Sequence, residues 1–175
     1  MKYYSEIICL TAETMISTPS GELRIDSIEP GMEVIGFDVY STSFITDTVY
    51  KTARSLHDHC AKVVFENGTS FVLTVDHPVY VEDKGWCVVC MNEDKYAYGV
   101  YVEQLNVGDV CVVFSHGKVA HVKVASIDLI SCSEDFYCFS TIKSHSFFAN
   151  GILVRDVNID HLTQEQLNAN HVVVK

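Results

Sequence analysis

The stretch GTSFVLTVDHPVYV, residues 68–81, decides how this chain is read. Ser70 to Val75 carries the β-branched and aromatic residues of a strand, and Pro78 ends it because proline has no N–H to give to a ladder. Thr74 and His77 therefore stand three residues apart where a strand runs out. A lone histidine at such a place is ordinarily a solvated or core-satisfied side chain. Thr-x-x-His followed by proline is a more specific pattern.

Outward from this stretch the same texture continues. EVIGFDVY, CAKVVFE, WCVVC, DVCVVF, AHVKVASIDLI, YCFSTI and GILV are short strand-like runs, punctuated at Pro30-Gly31, Asn67-Gly68, Gly108-Asp109, Gly117 and Asn150-Gly151. Many short strands at this spacing predict an all-β protein. Asn67-Gly68 and Asn150-Gly151 predict hairpins with type I′ turns, in which both central residues need positive φ. Helix signals are few: Thr163 to Gln166 forms a capping box that predicts a short polar helix over 164–169, after which VVVK closes the chain. EDKYAYGVY, residues 93–101, reads as a surface insertion.

The 175 residues are 48% hydrophobic, which suits one core and one domain. A formal charge of −11, spread along the chain, argues against phosphate backbones and anionic lipid surfaces, so neither nucleic acid nor membrane is expected as a partner and a monomer is. No apolar run approaches the roughly 18 residues of a bilayer span, and MKYYSEIICL lacks the basic and apolar regions of a leader. The expectation is a soluble, cytoplasmic protein. Seven irregularly spaced cysteines in a chain of this length point to free thiols in a reducing compartment.

Three places carry candidate chemistry: Cys9 after an apolar Ile8, the pair Thr74 and His77, and the hairpin SFFANGILVRD with His145 just upstream and Arg155-Asp156 at its end. In order along the chain, CLTAETMISTPSGELRIDSIEPGMEVIGFD (9–38), then GTSFVLTVDHPVYV with Gly85-Trp86 and EQLNVGDV, then FYCFSTIKSHSFFANGILVRD (136–156) resemble the three blocks of Hint domains. These are the self-processing modules shared by inteins, bacterial intein-like domains and the autoprocessing part of Hedgehog proteins. The resemblance implies an all-β, horseshoe-like fold of pseudo-twofold related halves over 9–156, with residues 1–8 and 157–175 as flanks and no room for a homing endonuclease.

It also implies a mechanism. Cys9 would attack the carbonyl of Ile8 and turn the amide into a thioester, with His77 handling the proton and Thr74 holding the scissile carbonyl or the imidazole. Asp76 reads as a turn residue. The substrate would be the chain's own flanking polypeptide, with water or a thiol resolving the thioester and no cofactor or metal involved. The closing end departs from the pattern, because splicing inteins end in His-Asn followed by a nucleophile and this chain has Arg155, Asp156 and Val157. A guanidinium with a pKa above about 12 does not shuttle protons, a carboxylate with a pKa near 3.9 lacks the amide nitrogen that cyclises, and valine accepts no acyl group. Ligation of the flanks is thus expected to fail while cleavage at Cys9 stays open.

Cys138 admits three roles: a structural thiol, a catalytic nucleophile, or a reversible disulfide partner of Cys9. His145 either assists Asp156 or orients the hairpin. Three alternatives to N-terminal cleavage stand beside it: a Hint domain that folds and does nothing, splicing by a non-standard route through Cys138 or Asp156, and a zinc module built from His57-Asp-His-Cys60 and Cys87-Val-Val-Cys90. Against the last, WCVVC reads as a strand, where residues three apart face opposite ways.

Overall fold

A computed structural model describes residues 7–91, 96–97, 100–169 and 172–175. The strands are β1 (Leu10–Thr11), β2 (Met15–Thr18), β3 (Gly21–Arg24), β4 (Glu33–Asp38), β5 (Ser43–Phe65), β6 (Ser70–Thr74), β7 (Val79–Val81) and β8 (Gly85–Val88). They continue with β9 (Tyr96–Ala97), β10 (Val100–Tyr101), β11 (Glu103–Gln104), β12 (Val110–Ser115), β13 (Lys118–Thr141), β14 (Ser146–Ala149), β15 (Ile152–Arg155) and β16 (Val173–Val174). The one α-helix among the described residues, α1 (Gln164–Ala169), lies where the capping box puts it. No described helix is long and apolar enough to cross a membrane. The all-β expectation holds.

Two strands organise the rest. β5 and β13 have 23 and 24 residues, against about five or six for an ordinary strand, and pair antiparallel along most of their length. Register shifts between Val124 and Ser126, Ser131 and Glu134, and Ser140 and Thr141 let the ribbon bend. The first two thirds of β5 escape a hydrophobicity reading because TDTVYKTARSLHDH is polar, yet Asp47, Val49, Ala53, Ser55 and His57 turn alternately inward. A strand that buries aspartate, serine and histidine side chains carries the period of two without its usual apolar mark.

Bending lets β5 meet two neighbours. It pairs with β13 near Ala53 and with β6 near Cys60, while β1 fills the gap between β6 and β13. The strands β5, β13, β1 and β6 thereby close into a small ring. From it the sheet continues through β12, β7, β15 and β14 to β2 and β3.

The two Asn-Gly turns differ. Asn150 and Gly151 both have positive φ, 48° and 82°, so β14 and β15 join through the expected type I′ turn. At the other, only Gly68 is positive, at 85°; its N–H donates to the Phe65 carbonyl at 3.0 Å, and Phe65 N–H donates to Thr69 at 2.8 Å. That is a three-residue loop with glycine in the left-handed position, because the β5–β6 register leaves one residue too many for a tight hairpin.

One further expectation changes. Cys60 on β5 and Cys132 on β13 form a disulfide, so the reading of all seven cysteines as free thiols is corrected; Cys9, Cys87, Cys90, Cys111 and Cys138 are free. Strand pairing brings together residues 72 apart, which sequence spacing does not reveal. The segment after Asp156 packs against the rest of the chain: Val157 and Ile159 are buried, and β16 pairs with β5 through Val173 opposite Arg54 and Val174 opposite Ala53. Within the supposed insertion, β9 and β10 pair with each other, while residues 93–95 and 98–99 lie outside the described residues, as do residues 1–6 of the N-terminal flank.

Candidate functional site

The ring's register places the first group. Leu10 faces Tyr137 on β13 and Leu73 on β6, so one residue back along both antiparallel ladders Cys9 stands between Cys138 and Thr74. Directly opposed residues point to one face, which explains why the buried Cys9 thiol hydrogen-bonds that of Cys138. Cys9 N–H donates to Thr74 Oγ1 at 3.1 Å, and Thr74 N–H donates to the Cys9 carbonyl at 3.0 Å. Thr74 thus holds the nitrogen of the Ile8–Cys9 bond, in place of the carbonyl or imidazole expected from the sequence.

The second group comes from the turn after β6. His77 N–H donates to the Thr74 carbonyl at 3.0 Å, which folds Val75 and Asp76 into a tight link ending at Pro78. On β15, Val154 opposes Val79 and Arg155 N–H donates to the Pro78 carbonyl at 3.0 Å, so His77 lies level with Asp156. The His77 ring is buried; Nε2 bonds the Arg155 carbonyl at 2.8 Å and so carries the proton, while Nδ1 has no hydrogen-bond partner. Burial lowers the imidazole to about 4, against the opposing pull of the Arg155 and Cys9 backbone. Burial, then the Cys138 thiol and the charge of Asp76, push the Cys9 thiol well above its ordinary range.

Asp156 is held differently. Its Oδ2 accepts from Thr141 N–H at 2.6 Å, Thr141 Oγ1 at 3.0 Å and His145 Nδ1 at 3.3 Å, and its own N–H donates to the His145 carbonyl at 2.9 Å. The hydrogen bond to Asp156 raises the half-exposed His145, with partial burial opposing. His145 sits at φ 53°, and the turn before it is fixed by Asp47. That buried carboxylate accepts from Ser144 N–H at 2.7 Å, Ser144 Oγ at 2.8 Å, Thr48 N–H at 2.8 Å and Lys143 N–H at 3.1 Å. Burial works to raise Asp47, but these donors outweigh it and hold its carboxyl below the usual range.

Cys9, Thr74, His77 and Cys138 therefore meet at the front junction, and His145 and Asp156 at the rear. Sequence reasoning missed Asp47, which stands outside the three blocks, and Thr141, which lies inside the third. The zinc alternative is not assembled: among the described residues no three His, Cys, Asp or Glu side chains converge, and Cys60 is tied to Cys132.

Comparison with known proteins adds the following. The Ataxin-1 and HBP1 module (AXH) family matches residues 40–116, less than half of the chain. That segment omits Cys9 and the closing hairpin, and its strands pair with β13 outside it. No curated protein matches. Among solved structures, the bacterial intein-like domain from Clostridium thermocellum aligns over 87% of this chain and 100% of its own, at 22% identity and a TM-score of 0.69. A DnaB intein from Synechocystis aligns over 85% and 98%, at 16% identity and 0.68. The gp41-1 intein aligns over 85% and 98%, at 19% identity and 0.63.

Proposed function

This chain has the Hint fold of inteins and bacterial intein-like domains, and on that premise we propose that it is a self-processing domain in which Cys9 cleaves its own peptide bond to Ile8. The Cys9 sulfur adds to the Ile8 carbonyl carbon, the C–N bond breaks, and the departing nitrogen takes a proton. Water or a thiol then resolves the thioester and releases the preceding flank. The observation that carries this reading is the pairing of Cys9 N–H with Thr74 Oγ1 while the buried His77 Nδ1 is left without a partner. Thr74 fixes the nitrogen that must leave, and Nδ1, deprotonated when Nε2 holds the proton, is the acceptor for the thiol proton and its relay to that nitrogen.

Burial raises the Cys9 thiol well above its ordinary range and lowers the His77 imidazole to about 4, so moving the proton from one to the other is uphill. The closed site is therefore slow at neutral pH. This gap is also what favours a second reading, a Hint domain that folds and stays inert. Full ligation of the flanks is not part of the proposal, because Arg155, Asp156 and Val157 supply neither the cyclising amide nor the acyl acceptor. Cys9→Ala is the direct test: it should abolish cleavage induced by dithiothreitol at Ile8. Persistence of that cleavage in the variant would overturn the scheme, and a wild-type chain inert with its thiols reduced would select the second reading.

A further inference from the structure

Cys9 is fully buried, beneath Ile7, Ile8, Phe136, Val157 and Ile159, so a thioester formed on it needs a way in for whatever resolves it. A partly open cavity of about 350 Å³ comes within one side chain of Cys9. Its lining includes Cys138, the residue directly opposite Cys9 in the ladder and hydrogen-bonded to it. The volume falls at the lower end of the roughly 300–1,000 Å³ of small-molecule sites.

The rest of the lining mixes the apolar Ile25, Ile28, Ala53 and Val173 with groups of both signs of charge. Asp26 and Glu29 come from the segment before β4, Arg54 from β5 and Lys175 from the strand edge beyond β16, with Tyr137 and Thr52 adding hydroxyls. Asp26 pairs with Arg24 at 2.9 Å and Arg54 with Asp135 at 3.5 Å. Such exposed pairs hold by about 1 kcal/mol or less, so they exchange readily for the charges of a ligand.

We propose that this cavity binds the small nucleophile that resolves the Cys9 thioester, and that its chemical class is a zwitterionic aminothiol of free-amino-acid size. The proposal rests on the acyl shift at Cys9. The incoming thiol sulfur attacks the Ile8 carbonyl carbon, the bond to Cys9 Sγ breaks, and Cys9 takes up the proton the incoming thiol gives up. The flank leaves as a thioester of the aminothiol, whose own amine then displaces the sulfur to form an amide. No oxidant or reductant is involved. The acidic lining residues suit an ammonium and the basic ones a carboxylate, which a plain thiol does not offer together.

Two measurements on the whole chain test this. The first is access: native protein is treated with iodoacetamide and carbamidomethylation of Cys138 is followed by peptide mass mapping in wild type, Glu29→Trp and Lys175→Trp. Both substitutions lie at exposed lining positions and leave the Cys9 machinery intact. They should slow Cys138 labelling severalfold with unfolding temperature unchanged; unchanged labelling in both would overturn the cavity as the route. The second is class: at equal thiolate concentration L-cysteine should release the flank severalfold faster than 3-mercaptopropionate, with the advantage lost in Glu29→Trp. Equal rates would overturn the aminothiol assignment while leaving the Cys9 reading standing. Gated labelling of Cys138 with no cleavage by any thiol would instead overturn the Cys9 reading, and the nucleophile's role with it.

Discussion

The Ile8–Cys9 junction and the Asp156–Val157 junction both place their apolar residues in the same buried cluster, but their polar atoms are treated in opposite ways. At the rear, Asp156 Oδ2 receives two donors from Thr141 and one from His145, so that oxygen's lone pairs are engaged. At the front, His77 keeps a buried Nδ1 with nothing bonded to it. Leaving a buried polar atom unmade costs about 1–3 kcal/mol, a cost that His57 Nε2 bears too, away from this junction. This difference in how the two junctions hold their polar atoms is what the proposed placing of the opening step at the front, with the rear as a clamp, rests on.

Removing the unsatisfied group should have the largest effect. His77→Ala should slow thiol-induced cleavage on the order of a hundredfold or more, read as the rate of mass loss. A rate within twofold of wild type would erase the distinction between the junctions.

Acid should expose the same asymmetry through stability. His77 and the largely buried His57, whose Nε2 also lacks a partner, are both held near 4 by burial, below the ordinary 6.5. Between pH 6.5 and about 4 the unfolded chain therefore binds more protons than the folded one, so stability falls as pH drops through this window. A depression from 6.5 to about 4 corresponds to about 3 kcal/mol for each ring. His145 works the other way: its raised pKa favours folding below 6.5 and that contribution fades as pH rises through the raised value. Urea midpoints across pH 4–7 check the balance, and a midpoint that rises on acidification would contradict it.

The rear clamp is probed at Gly36, where an added Cβ would lie 2.2 Å from Ser144 Oγ and 3.2 Å from the Ser146 carbonyl. Gly36→Ala should cost about 1–3 kcal/mol in urea unfolding, since the turn that Asp47 fixes has to give way. A smaller effect is expected from Arg155→His with Asp156→Asn, which restores the amide and should raise scission before Val157 to a detectable fraction over a day. Scission there in the wild-type chain at a rate matching the front would break the comparison outright.

Much of this was legible in the sequence because the site residues sit in short local patterns. Thr74 and His77 share one strand end, Asn150-Gly151 marks its hairpin, and Cys9 and Asp156 bracket the ordered blocks. What was illegible is non-local or polar. The long β5 hides its alternation behind buried Asp47, Ser55 and His57, and the Cys60–Cys132 disulfide depends on pairing that spacing does not encode. Thr141 and Asp47 gain their roles only when β13 and β5 bring them to the hairpin. The tail 157–175 reads as polar, yet Val157 and Ile159 suffice to dock it.

The most direct test of the central claim is the intact mass of the purified chain held with excess dithiothreitol at neutral pH for a day. Loss of residues 1–8, and their loss alone, is the predicted result. An unchanged mass with the thiols confirmed reduced, or loss of residues 157–175 in its place, would contradict the assignment of reactivity to Cys9.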